Sequence, residues 1–180
     1  MHWKNSRNLI RRQLQHKHYN NLDIFQRAVD DLVQAIRRTG DVVDLQPLFF
    51  RMTLDISTEH LLGESAGSLL APHKSNMRIF ADAFDIVSRH ATAEIRRYDL
   101  RWFVYRHRYQ RVREDLNYVT DQILDRNLKA AQEGGTGTTQ HNFLCAIADD
   151  TQNRTALRGQ VLHLLAAGRD TTASLLSWTL

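Results

Sequence analysis

The run HLLAAGRDTTASLL, His163 to Leu176, decides how this chain is read. Its leucines and alanines describe the middle of a buried helix. Its centre instead holds Gly168, Arg169, Asp170, Thr171 and Thr172. A glycine costs about 1 kcal/mol against alanine inside a helix. Threonine stiffens χ1, and its hydroxyl bonds back to the carbonyl one turn earlier. Stability asks for none of this, so the run marks a candidate site. On spacing alone it also reads as a kink packed on a neighbouring helix, or as a helix end with Asp170 as a second cap.

Outward from that helix, the chain keeps one character. It has 180 residues, enough for a single domain with one sizeable core. Apolar residues make up 42% and charged residues 24%, which argues for a globular piece and against disorder. With two prolines, eight glycines and much Leu, Ala, Arg, Gln and Asp, the composition favours helix over sheet. A first helix is expected over residues 3 to 19. In a second, Leu22, Phe25, Val29, Leu32 and Ile36 recur at helical spacing, and Gly40 stops it. Asp44 caps a third, with Pro47 in its first turn and Gly63 at its end. A fourth runs from about residue 76 to 95, with Ile79, Phe80, Ala83, Phe84 and Val87 inward. A long fifth reaches about residue 132, with Val112, Leu116, Val119, Ile123 and Leu124 inward. EGGTGTTQHN is a loop and FLCAIADD a short helix; the last helix starts near Asn153 or Thr155. No segment alternates with a period of two, and no repeat is visible. The expected fold class is all-α, with residues 1–180 as one region and no complete second domain.

Three stretches carry a resemblance. Residues 167 to 172 read Ala-Gly-Arg-Asp-Thr-Thr and match the A-G-x-[DE]-T-[TS] segment in the central helix of cytochrome P-450 haem-thiolate monooxygenases. WKNSRNLIRRQL resembles the same family's W-x-x-x-R helix, and VDLQPLFFRMTLDISTEHLLGES resembles the helix two further along. The order and the number of helices between them fit, and the resemblance covers essentially the whole chain. It is nearest to fungal members that hydroxylate alkanes and fatty acids.

That resemblance implies a partial helical domain of the cytochrome P-450 fold, truncated at both ends. It implies haem b as cofactor of a longer parent, a lipophilic substrate, dioxygen and an NADPH-dependent reductase. It places the central helix over the distal face of the haem. There Ala167 and Gly168 would let backbone and oxygen approach closely, and Thr171 would steer proton delivery. Asp170 would relay protons from solvent, and Arg169 would pair with Asp170 or another acid. Trp3 and Arg7, one turn apart, would donate to a haem propionate. The family's iron ligand is a cysteine in a Gly-rich loop. The single cysteine here, Cys145, has apolar helical neighbours instead, so no metal ligand is expected in this chain and it is expected to be inactive alone.

Charge supplies the competing reading. From Arg89 to Arg113 there are eight arginines against Glu94 and Asp99, interleaved with Tyr98, Trp102, Phe103, Tyr105 and Tyr109. Such a band suits a helical binding module for an anionic membrane or nucleic acid. No recognised nucleic-acid fold accompanies it, so nucleic acid is not expected as a partner. Within the resemblance, residues 95–106 would meet a membrane surface, with the parent on the cytoplasmic face of the endoplasmic reticulum. No run of eighteen apolar residues predicts a spanning helix, and the polar start predicts no signal peptide. With its downstream partners missing, the last helix is expected to leave Leu164, Leu165, Leu175 and Leu176 poorly covered.

Overall fold

A computed structural model describes residues 7–8, 10–11, 22–40, 42–72, 76–96, 106–132, 144–145, 147–148 and 153–180. All the regular structure among them is helical. The five long helices are α1 (Leu22–Thr39), α2 (Leu45–Leu62), α3 (Asn76–Arg96), α4 (Arg106–Gln132) and α5 (Arg154–Thr179). Short helical pieces lie at residues 7–8, 10–11, 144–145 and 147–148. The expected all-α class is what forms. The loop over residues 133–142 lies outside the described residues.

Local chemistry sets the helix ends. Asp44 accepts a hydrogen bond from the Gln46 N–H at 3.1 Å, filling one of the orphan donors at the start of α2. Gly63 ends α2 in the left-handed region, at φ 80°, and its N–H donates to the Glu59 carbonyl at 3.0 Å. Asn153 caps α5 by accepting from Thr155 and Ala156 N–H groups. Gly40 ends α1 with φ 103°.

α2 sits at the centre and packs against α5, α1 and α4, while α3 packs on α4. One core cluster joins Leu54 and Leu62 of α2 to Phe80, Phe84, Leu124 and Leu165; a second joins Ala28, Leu32 and Ala35 of α1 to Phe49, Met52 and Ala173. The turn after α2 is held by buried polar groups. Asp55 accepts N–H bonds from Ser68 at 2.8 Å and Leu69 at 3.1 Å, and Thr58 Oγ1 accepts from Ala66. Asn127 of α4 donates to the Leu62 carbonyl at 2.7 Å.

The inward faces differ from the sequence reading at several points. On α1 the buried residues are Ile24, Ala28, Leu32 and Ala35, while Leu22, Phe25 and Val29 are exposed. The two alanines pack in one cluster with Phe49 and Met52 of α2, and the larger Leu22, Phe25 and Val29 are left outside it. Ile79 is exposed on α3, whereas Phe80, Ala83 and Phe84 are buried as expected. On α5 Leu165 is fully buried, Leu164 and Leu176 pack partly against the core clusters, and Leu175 is 64% exposed. Adjacent residues lie about 100° apart on a helix, so the four leucines never formed one face.

Candidate functional site

α5 runs unbroken through residues 163 to 176, so Asp170 is not a second cap. Its two sides differ. Leu157, Val161, Leu165, Arg169 and Ala173 are buried, and their four-residue spacing lays them along one ridge. Ala167, Gly168, Thr171, Thr172 and Leu175 are exposed and form an open stripe of mostly small side chains. The AGRDTT run is therefore divided: Gly168 and Thr171 belong to the open stripe, Arg169 to the interior.

On the open stripe, Thr171 Oγ1 donates to the Ala167 carbonyl at 2.7 Å, the back-bond anticipated from the sequence. A Cβ added at Gly168 would come 2.8 Å from Ser57 Oγ and 3.7 Å from Ser57 Cβ. It would lean toward α2, so the surface that Gly168 presents outward is backbone.

On the inner side, Arg169 is 3% exposed. Its Nη2 donates to Asp85 Oδ1 at 2.6 Å, its Nη1 to Asp170 Oδ1 at 2.9 Å, and its Nε to the Phe50 carbonyl at 3.2 Å. The guanidinium carbon lies 4.6 Å from the Phe50 ring centroid and 5.4 Å from that of Phe84. Burial pushes its pKa down, and Asp170 pushes it back up. Thr53 Oγ1 contacts the Arg169 carbonyl at 3.1 Å, tying α2 to the same turn.

Beside this turn lies a cleft of about 680 Å³ between α2, α3 and α5. Phe50, Leu54 and Ala81 supply apolar wall; Arg51, Asp82, Asp85, Arg89, Arg169 and Asp170 supply charge. Burial, with Arg78 nearby, pushes the Arg51 pKa down. Asp170 thus faces the cleft, while Thr171 sits on the stripe beyond it.

Of the other site residues expected from the sequence, Arg7 is helical and exposed, and Trp3 lies outside the described residues. Residues 97–105 of the basic-aromatic band, with Tyr98, Trp102, Phe103 and Tyr105, lie outside them too; within them, Arg89 pairs with Asp85 and Tyr109 stacks on His90 at 3.9 Å. Cys145 is half-buried, between the fully buried Leu144 and Ile147. No cluster of His, Cys, Asp or Glu among the described residues has the geometry of a metal site. Sequence reasoning missed Asp85. Its only signal was a position four residues before Arg89, which says nothing of α5.

The family profile described as Cytochrome P450 matches residues 1–180. This chain belongs to the cytochrome P450 family. Among curated relatives, "Cytochrome P450 monooxygenase g430" of Fusarium sp is 36% identical over 98% of this chain and 34% of its own length. A "Cytochrome P450" of Arthroderma benhamiae is 32% identical over 99% of this chain and 36% of its own. "Cytochrome P450 52A1" of Candida tropicalis is 31% identical over 98% and 34%. The chain therefore spans about a third of the length of these relatives, and its fold is part of the P450 domain. No solved structure matches the chain significantly. The P450 cofactor is haem, and the open stripe fits a flat macrocycle: Ala167, Gly168 and Thr171 raise no bulky side chain, and at Gly168 the surface is backbone.

Proposed function

We propose that α5 is the distal helix of a haem-dependent monooxygenase that hydroxylates lipophilic substrates, such as long-chain alkanes or fatty acids. The observation that carries this reading is the division of the AGRDTT run. Its small and hydroxyl residues line an open stripe, while its arginine is locked inside. The substrate class follows the resemblance to fungal hydroxylases. Haem, when bound, would supply the activation of dioxygen.

The residues of this chain do the rest. Ala167 keeps the stripe low and Gly168 presents backbone there, so that substrate and oxygen fit beside it. Thr171 Oγ1 spends its proton on the Ala167 carbonyl and keeps its lone pairs outward; rotating the hydroxyl exchanges acceptor for donor. Asp170, on the cleft side, is the carboxylate that brings protons from solvent. Arg7 and Trp3 would hold a haem propionate. An NADPH-dependent reductase supplies electrons, and residues 95–106 meet the endoplasmic reticulum membrane on its cytoplasmic face. No helix among the described residues is long and apolar enough to cross a membrane.

Cys145 is half-buried on a helical piece whose Leu144 and Ile147 belong to the core, a place for a packing residue rather than an iron ligand, so the 180 residues alone are inactive. The test is the reduced carbon-monoxide spectrum. The 180-residue chain with added haem should lack the thiolate-type Soret band, and a longer protein carrying a downstream cysteine should show it. A thiolate-type band from the chain alone that disappears in Cys145→Ala overturns the assignment.

A further inference from the structure

Arg169 occupies the position that the A-G-x-D-T-T pattern leaves open, yet it is the most buried charge of the run. An arginine does not shed its proton in a protein, and a buried one stripped of its partner is left as an uncompensated charge. Arg169 has two carboxylates to choose from. The fork is fixed to α2 and α3 by the Phe50 carbonyl, the rings of Phe50 and Phe84, and Asp85 Oδ1 at 2.6 Å. Asp170 is the outlying partner: its bond is longer, at 2.9 Å, and its side chain is 41% exposed against 25% for Asp85.

Building on the reading of Asp170 and Thr171 given above, we propose that Arg169 is a positioning residue that holds Asp170 in the cleft, and that Asp85 on α3 sets how tightly by competing for the same guanidinium. When Asp170 swings away, Asp85 keeps Arg169 neutralised, so release costs little. When α3 draws Asp85 off, Arg169 has only Asp170 and grips it. Arg89 engages the other oxygen of Asp85, so charges alternate Arg89, Asp85, Arg169, Asp170 from the mouth of the cleft to the centre of α5. A displacement of α3 is thereby transmitted to the carboxylate that serves the stripe. The link crosses the cleft, where α2 rather than α3 makes the extensive contact with α5.

The test is carbodiimide-driven amidation of Asp170 in the intact 180-residue chain, read by peptide mass spectrometry with Asp82, in the same cleft, as reference. Arg169→Gln should speed labelling of Asp170, on the order of tenfold if the pairing amounts to about 1.4 kcal/mol. Asp85→Asn should slow it, because Asp170, already on Nη1, is then the one carboxylate left to offset the guanidinium charge. A merely structural bridge predicts the opposite sign for Asp85→Asn: cutting it loosens the cleft and exposes Asp170. Faster or unchanged labelling in Asp85→Asn overturns the proposal. If Arg169→Gln loses helicity, Arg169→Lys, which keeps the charge and loses the fork, takes its place. If Asp85→Asn does, Asp85→Ser takes its place. In a longer, haem-loaded protein, Asp85→Asn should lower kcat and leave KM unchanged. Labelling needs no haem, so failure of the monooxygenase reading and failure of the competition are seen separately.

Discussion

Replacing Gly168 by alanine separates a glycine kept for packing from one kept for a site. Inside α5 the substitution gains about 1 kcal/mol of helix propensity. Against that stands one contact. The new methyl would lie 2.8 Å from Ser57 Oγ, too close, but 3.7 Å from Ser57 Cβ, which is ordinary contact. Only the hydroxyl must move, and a serine has other staggered rotamers to take. The net effect should fall between no change and a gain of about 1 kcal/mol, or up to roughly 2–4 °C in Tm for a chain of this size. In a Ser57→Ala background the offending atom is gone, and the gain should approach its full value. The assay is urea or thermal unfolding of the single and double variants. A loss above about 1 kcal/mol that persists in the Ser57→Ala background would show that packing among these helices requires the glycine, and Gly168 would then mark no site. If the chain tolerates alanine, packing among these helices does not account for the glycine.

Two further outcomes follow from the same structure. Burial pushes the Asp55 carboxyl up to about 6 from 3.8, against the pull of the Ser68 and Leu69 N–H bonds. The folded chain then holds this proton more tightly than the unfolded one, so the contribution is complete below about pH 4 and is lost as pH rises toward 6, by about 3 kcal/mol at most. Asp55→Asn should flatten that part of the profile, and urea midpoints at pH 4 and pH 7 that stay parallel in the two proteins would refute it. At the proposed membrane face, replacing Trp102 and Phe103 by Ser and Arg96 and Arg97 by Gln should weaken binding of a longer protein to anionic vesicles and raise KM for long-chain substrates; unchanged values with the fold retained would make the band a solvated face.

What the sequence made legible was local. Both ends of α2 and the start of α5 were readable because Asp44, Gly63 and Asn153 act on backbone groups two to four residues away. The inward faces were readable in part, as at Phe80 and Phe84 or Leu116 and Leu124. On α1 the large apolar residues at helical spacing pointed to one side, but Ala28, Leu32 and Ala35 are the residues that pack with Phe49 and Met52 of α2. The burial of Arg169 was not legible at all. It depends on a carbonyl 119 residues away and a carboxylate 84 residues away, and no local pattern records either. The back-bond from Thr171 to Ala167, by contrast, spans one turn and was foreseen.

The distal-helix assignment meets its most direct test in Thr171→Ala, made in a longer protein that binds haem, with electron consumption and hydroxylated product counted together. Thr171 is exposed, and among the described residues its hydroxyl bonds along its own helix, so the fold and substrate binding should survive. Without the hydroxyl, proton delivery on the stripe loses its direction, and most of the electrons consumed should appear as peroxide rather than product. Full coupling of electrons to product in Thr171→Ala would contradict the assignment.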